Sequence, residues 1–83
     1  MDMPNALAAF DALGQPSRLT VFRLLVQTGE AGLAAGDIAL RLEMKPNTLS
    51  THLSILESAG LIAAERQGRS IRYFAQMEGL RGL

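Results

Sequence analysis

KPNTLSTHLSILESAG, residues 45–60 of this 83-residue chain, has the pattern of a short helix with one apolar and one polar face. On a 3.6-residue helical period, Leu49, Leu53 and Leu56 share one narrow stripe. The opposite side carries small hydrogen-bonding residues: Asn47, Thr51, Ser54 and Ser58. Exposed helix surfaces usually carry Glu, Lys or Gln, which have higher helix propensity. The pattern therefore predicts a short helix that buries its leucines and lays a polar face against a partner, as a helix in a DNA major groove does.

The charges of the chain are unevenly distributed along the sequence. The formal net charge is zero, but residues 1–44 carry a net charge of −2 and residues 45–83 a net charge of +2. Three of the basic residues, Arg66, Arg69 and Arg72, fall within seven positions. A local positive patch is what the neutralisation of DNA phosphates requires, even where the total charge is zero. The second half of the chain is therefore the candidate DNA-binding half.

Composition and length limit the functions open to the chain. A domain of 83 residues has a core that is only marginally sufficient, which favours oligomerisation. Because the chain has no cysteine, it can form neither a disulfide nor a thiolate metal site. It has no apolar run of membrane-spanning length and no N-terminal signal segment. We expect a cytoplasmic protein with no membrane partner, and no metal or other cofactor held by these residues.

Helical periodicity and capping signals predict four helices, over residues 5–13, 16–28, 34–44 and 46–58. Asn5 is the expected N-cap of the first helix, and glycines follow the first, second and fourth helices. The third and fourth helices are joined by a tight turn, which makes residues 34–59 a helix-turn-helix. Lys45 stands where a capping Ser, Thr or Asp is usual, so the fourth helix starts weakly capped unless Asn47 or a ligand phosphate compensates.

A β-hairpin is predicted after the helix-turn-helix, with strands over residues 61–64 and 71–75 and a turn over residues 66–70. This hairpin makes residues 61–75 a wing. Residues 76–83 are predicted to start another helix, whose apolar stripe needs a partner surface, so either the natural chain continues or these residues complete a dimer contact. The expected fold is a single domain over residues 1–83, mainly α with a small β-hairpin, in the order α-α-α-α-β-β-(α): a winged helix-turn-helix.

Three segments resemble the ArsR family of bacterial winged-helix repressors. FDALGQPSRLTVFRLL, residues 10–25, resembles the LG-x-P-x-R-L run that links the first two helices of that family. DIALRLEMKPNTLSTHLSILESAGLI, residues 37–62, resembles its helix-turn-helix, and RQGRSIRYFA, residues 66–75, resembles its wing. Each piece alone is a weak signal, because other winged-helix families share the A-G-L-I ending. The three together, in this order, cover nearly the whole chain and are specific.

The resemblance implies a homodimer that pairs through its first and last helices, binds a palindromic operator and is released by an inducer. The residues expected at the dimer interface are Leu7, Phe10, Met77, Leu80 and Leu83. Many family members sense arsenite or metal ions with cysteines near the equivalents of Ala34 and Gly36, where this chain has none. The inducer is therefore unknown: a small molecule, a protein partner, or arsenite or another metalloid sensed by cysteines in an extension past Leu83. Of these, we favour an extension that carries the sensing cysteines, as the resemblance to arsenic-responsive repressors implies.

The predicted DNA contacts lie on the fourth helix and the wing. Asn47 and Thr51 point outward in the first two turns and are expected to read bases, while Thr48 and Ser50 flank them and are expected to hold phosphates. Ser54 is a contact farther along the helix. The remaining predicted contacts are basic: Lys45, Arg66, Arg69 and Arg72. A solvated helix face and a solvated hairpin are the alternatives, and strand alternation could turn Arg72 toward Glu65 instead.

The sequence contains nothing typical of an enzyme: no nucleophile-and-base pair, no phosphate-cradling glycine loop and no metal cluster. His52, the single histidine, lies at the edge of the leucine stripe without a thiol or carboxylate cluster, so we expect it to pack or to bond a phosphate. The alternative function is a winged helix used only for protein interaction or dimerisation. The polar helix face and the wing arginines favour double-stranded DNA as the partner.

Overall fold

The structure, a computed structural model, describes the backbone of residues 3–76 and the side chains of residues 7–76. Within this part of the chain, a short strand separates two pairs of helices, and a β-hairpin follows the second pair. The helices are α1 (Met3–Leu13), α2 (Pro16–Thr28), α3 (Ala35–Leu42) and α4 (Pro46–Ser58), with a 3-10 turn at Gly29–Ala31. The strands are β1 (Leu33–Ala34), β2 (Ile62–Gln67) and β3 (Ser70–Ala75). The fold class is confirmed as mainly helical, with a helix-turn-helix followed by a β-hairpin wing.

The predicted element order needs one correction, because a short strand precedes the helix-turn-helix. β1 pairs with β3 in antiparallel register, Leu33 opposite Tyr73 and Ala34 opposite Arg72, so the sheet has three strands in the order β1-β3-β2. Ala34 was expected inside the third helix, but it has extended backbone angles of φ −73° and ψ 153°. A two-residue strand is too short to show a sequence period, and its partner lies about forty residues away.

Three predicted boundaries are also wrong. α1 starts at Met3, so Asn5 lies inside the helix and is not its N-cap. α3 ends at Leu42, because Glu43 adopts the left-handed conformation (φ 51°) and the N–H of Met44 bonds the carbonyl of Ala39. No glycine marks that position. The hairpin turn contains two residues, 68–69, because β2 and β3 extend to the paired Gln67 and Ser70.

The predicted leucine stripe of α4 forms part of the core. Leu49, Leu53 and Leu56 are buried in the core, and α4 packs against α2, α3 and β2. The other large, fully buried side chains come from α2, α3 and the start of β2: Val21, Leu25, Ile38, Leu61 and Ile62. Burial on this scale contributes roughly 1.5–3 kcal/mol for each large apolar side chain relative to an exposed one. This burial fixes the rotation of α4 about its axis, and so fixes which of its residues face outward.

Gly32 joins the 3-10 turn to β1 in a conformation that no other residue adopts easily. It is buried, with φ 62° and ψ −174°. A Cβ atom on Gly32 would lie 2.6 Å from Cε1 of Phe74 and 2.7 Å from the carbonyl oxygen of Tyr73. The turn can therefore approach β3 closely only because residue 32 has no side chain.

None of the helices in the described part of the chain is both long enough and apolar enough to cross a membrane.

The glycine substitutions Gly32→Ala and Gly29→Ala should separate backbone strain from the steric clash. Gly29 also has positive φ (56°), but a Cβ atom there meets nothing within 4 Å. We expect G29A to cost about 1–3 kcal/mol through strain alone, and G32A to cost about 1–3 kcal/mol more because it also overpacks the Phe74 contact. Gly36, in α3, is the control: G36A meets no atoms and should be neutral or slightly stabilising. Urea unfolding of the three variants measures this order, and equal losses for G29A and G32A would contradict the clash.

Candidate nucleic-acid interface

The outer face of α4 carries four exposed polar side chains in its first two turns: Asn47, Thr48, Ser50 and Thr51. The residues between and after them, Leu49, His52 and Leu53, are buried. The helix is therefore divided sharply into a packed face and a small polar face. The structure brings together all four residues that the sequence assigned to base or phosphate contacts on this helix, and their short side chains allow close approach of another surface.

The N-terminus of α4 has no side-chain cap. Lys45 occupies the N-cap position with extended angles (φ −66°, ψ 141°), and its side chain makes no capping hydrogen bond. Pro46 follows in the first turn, where its missing N–H costs nothing. The first helical hydrogen bond runs from the N–H of Leu49 to the carbonyl of Lys45, at 2.9 Å. The positive end of the helix dipole therefore lies beside a lysine, an arrangement that favours an anion such as a DNA phosphate.

The hydroxyl group of Thr51 is engaged within α4. Its Oγ1 atom donates a hydrogen bond to the backbone carbonyl of Asn47, one turn earlier, at 3.2 Å. Bonds of this kind are common for threonine in helices. The residue is exposed, and the groups that its side chain has left for a partner are the methyl group and the lone pairs of Oγ1. This bond could not be predicted from the sequence, because it depends on the rotamer of Thr51.

Ser54 lies apart from the other four polar residues. It lines a groove between α4 and α1, together with Ser58 of α4 and with Ala8 and Asp11 of α1. The carboxylate of Asp11 would repel a phosphate on this side of the helix. Ser54 was predicted to be a DNA contact, and its position in this groove makes it the weakest member of that set.

Two of the three wing arginines lie at the exposed end of the hairpin. Arg66 is the cross-strand partner of Ile71, and Arg69 occupies the two-residue turn after Gly68. Gly68 has φ 64°, the left-handed conformation that tight hairpin turns require. Both arginine side chains are exposed, so the wing presents two positive charges beyond the packed part of the sheet.

Arg72 has a different environment from the other wing arginines. Its Nη1 atom donates to the carbonyl oxygens of Ala31 and Gly32, at 3.2 and 3.1 Å. Arg72 also lies opposite Glu65 in the strand register, the neighbour that strand alternation suggested. Because its guanidinium is bonded to the turn before β1, we interpret Arg72 as a residue that ties the wing to the rest of the fold.

His52 is the one polar residue found in the core of the described part of the chain. Its side chain is 7% exposed, and its Nδ1 atom is buried without a hydrogen bond from residues 7–76. Burial, and then the positive charge of Arg18, lower its pKa below the ordinary value of 6.5. The described residues contain no cluster of ligands for a metal ion. The packing role expected for His52 agrees with this burial.

Arg18 is a residue whose importance the sequence reasoning missed. Its Nε atom donates to the carbonyl of Ala12 in α1, at 2.8 Å, and its backbone N–H bonds the capping side chain of Gln15. It also lies close enough to His52 of α4 to lower the pKa of that residue. In the sequence, Arg18 is the one basic residue of the LG-x-P-x-R-L run between the first two helices. That position was the only feature of the sequence that could have indicated its role.

The exposed face of α1 carries two of the residues expected at a dimer interface. Leu7 is 59% exposed and Phe10 is 62% exposed. Together they form one side of an open cleft whose other side includes Pro16 and Arg18. Exposure of two large apolar side chains one helical turn apart is typical of a contact surface. The other three residues expected at the interface, Met77, Leu80 and Leu83, lie outside the described residues.

Comparisons with known proteins agree with this geometry. Residues 13–64 match the family model of a helix-turn-helix domain. An HTH-type transcriptional regulator of Methanocaldococcus jannaschii is 35% identical over 64 residues, which cover 77% of this chain and 70% of that protein. The HTH-type transcriptional regulator NmtR of Mycobacterium tuberculosis is 35% identical over 66 residues, 80% of this chain, and this chain spans only 52% of NmtR.

Solved structures of DNA-binding regulators share the fold. An ArsR-like transcriptional regulator from Rhodococcus superposes with a TM-score of 0.81 at 30% identity, over 93% of this chain and 70% of that one. The homodimeric winged helix-turn-helix DNA-binding domain of a Mycobacterium bovis protein superposes with a TM-score of 0.80 at 30% identity, over 88% of this chain and 65% of that one. The relatives described here are named as regulators of transcription and not as enzymes.

The burial of His52 should make stability depend on pH. Its pKa is lowered in the folded protein, so the unfolded chain binds the proton more readily. The contribution of neutral His52 is complete above the ordinary pKa of 6.5 and falls as the pH drops below it, by up to about 1.4 kcal/mol per pH unit until the folded pKa is reached. Urea unfolding of the wild type and H52Q from pH 7.5 to 5.0 tests this: the stability advantage of the wild type should shrink with pH. A constant difference would contradict it.

Proposed function

This chain belongs to the ArsR family of winged helix-turn-helix transcriptional regulators, and we propose that it represses transcription by binding a palindromic operator as a homodimer. The observation that carries the proposal is the outer face of α4. Asn47, Thr48, Ser50 and Thr51 are exposed there, while the leucines behind them are buried. A helix of this kind fits the major groove, where amides and hydroxyls can bond base edges and phosphates.

The charged groups around α4 support DNA as the partner. Lys45 lies at the uncapped N-terminus of the helix, and Arg66 and Arg69 are exposed on the wing. We propose that Asn47 and Thr51 contact bases, that Thr48, Ser50 and Lys45 hold phosphates, and that the two wing arginines contact the backbone beside the reading helix. Arg72 is left out of this set because its guanidinium bonds the carbonyls of Ala31 and Gly32.

A homodimer would match the symmetry of a palindromic operator. Leu7 and Phe10 form an exposed apolar surface on α1, and the Mycobacterium bovis domain with the same fold is homodimeric. Two-fold pairing would place two α4 helices about one turn of DNA apart, roughly 34–36 Å. We propose that α1 forms part of this dimer contact.

An inducer would release the operator by favouring a dimer geometry that does not fit it. The chain has no cysteine, and arsenite and other soft metalloids bind through thiolates. An inducer of that class would therefore have to bind residues outside these 83. A small molecule or protein partner that is recognised without thiolates could bind within these 83 residues.

The salt dependence of DNA binding should distinguish the phosphate contacts from the structural arginine. We expect the chain to select a palindrome from a library of random duplexes. Because each substitution removes one phosphate contact from each of the two subunits, K45A, R66A and R69A should each reduce the slope of log K against log salt by about 1.8. R72A should lower the stability of the fold and leave the slope unchanged. R23A, which removes an exposed charge from α2, is the control. If no duplex is bound, or binding does not depend on salt, the winged helix serves protein interaction instead.

Substitution of Phe10 should weaken the dimer. Phe10→Glu places a charge on the exposed apolar face of α1, so we expect sedimentation velocity to show a shift from dimer to monomer. Affinity for the full palindrome should fall, whereas affinity for a single half-site should not change. Val26→Glu is the matched control, because Val26 is a partly exposed apolar residue on α2, outside the proposed contact. An F10E protein that still sediments as a dimer would rule out this face of α1.

A further inference from the structure

The side chain of Thr51 is the most specific chemical feature of the proposed reading face. It lies in the second turn of α4, exposed, one turn after Asn47, and the residues that follow it, His52 and Leu53, are buried. Their burial fixes the rotation of the helix at this point. Thr51 therefore lies at a fixed position on the exposed face of α4, and its short side chain has few conformations.

The hydrogen bond of Thr51 determines what the side chain can offer a base. Because Oγ1 donates its proton to the carbonyl of Asn47 at 3.2 Å, the hydroxyl has no second proton to give. Two groups are left: the Cγ2 methyl group and the lone pairs of Oγ1. Thr51 can therefore make an apolar contact and accept a hydrogen bond, but cannot donate one while this bond lasts.

Among the base pairs, only A·T offers both complementary groups in the major groove. Thymine presents its C5-methyl group, and its adenine partner presents the N6 amino donor. A G·C pair has an amino donor on cytosine but no methyl group, and the N7 and O6 acceptors of guanine would face the lone pairs of Oγ1 unfavourably. The outward groups of Thr51 match A·T better than G·C.

We propose that Thr51 determines operator specificity by packing its methyl group against the C5-methyl group of one thymine in each half-site. This inference rests on the proposed function and deepens it by naming the base that α4 reads. Removing one buried methyl contact of this kind corresponds to a loss of about 3–5-fold in affinity. The preference should appear as one A·T pair, repeated symmetrically in the two half-sites.

The test uses the full chain and the duplex that it selects from random DNA. Each thymine of the operator is replaced in turn by 2′-deoxyuridine, which removes only the C5-methyl group, and affinities are measured for the wild type, T51V and T51S. Valine keeps a methyl group in nearly the same shape but has no hydroxyl. Serine keeps the hydroxyl and has no methyl group.

We expect one symmetric pair of thymines at which uracil weakens the wild type by about 3–5-fold. T51V should keep this sensitivity at the same positions, and T51S should bind the thymine and uracil duplexes equally. T20S is the matched control: Thr20 is exposed on α2, and its hydroxyl makes the same kind of bond to the carbonyl one turn earlier, that of Pro16, at 3.0 Å. T20S loses a methyl group outside the reading face and should keep the wild-type sensitivity. Thermal unfolding of each variant checks that these exposed substitutions leave the fold intact.

Three results would overturn the inference, and they can be told apart. If T51S keeps the uracil sensitivity and T51V loses it, the hydroxyl reads the base and the methyl group does not. If a specific operator is bound but no thymine is sensitive to uracil in the wild type, the inference fails while the proposed function stands. If no sequence is selected at all, the proposed function fails and the inference fails with it.

Discussion

Burial of the leucine stripe of α4 determines how this helix is oriented on the core and which of its side chains are exposed. Leu49, Leu53 and Leu56 are almost completely buried in the core on which α4 packs, so α4 cannot rotate about its axis without exposing them. This packing determines that Asn47 and Thr51 face outward. The polar face is therefore positioned by the core and needs no stabilising contact of its own, which leaves small polar residues of modest helix propensity free to serve recognition.

A second junction determines where the wing lies relative to this helix. Gly32 lets the turn before β1 approach the ring of Phe74, and Arg72 bonds the carbonyls of that turn. Both interactions hold β3, and β3 pairs with β2 along its whole length to the exposed turn at Gly68. The charges of Arg66 and Arg69 are thereby carried on a hairpin that is anchored at its base, while the part of the wing that would meet DNA is unobstructed.

The helices and the hairpin could be predicted from the local sequence. The features that could not be predicted depend on residues that are distant in the sequence or on backbone conformations that no residue type indicates. The α4 stripe and the hairpin arise from periods of 3.6 and 2 residues, which the sequence shows directly. β1 is invisible locally because Leu33 and Ala34 form a strand only by pairing with β3. The end of α3 at Glu43 depends on a left-handed residue that is not glycine. The hydrogen bonds of Arg72 to the carbonyls of Ala31 and Gly32 could not be predicted, because these residues lie about forty positions away in the sequence.

Arg18 connects the two surfaces that the proposed function requires. Its guanidinium bonds the last turn of α1, the helix with the exposed apolar face, and its charge reaches His52 on the buried side of α4. His52 directly follows Thr51, so the same short stretch of α4 contacts the core on one side and faces outward on the other. A change in the packing of α1 would alter the position of Arg18, and so the electrostatic environment of α4, the proposed reading helix. In a domain this small, the surface proposed for subunit pairing and the surface proposed for DNA recognition would share one core.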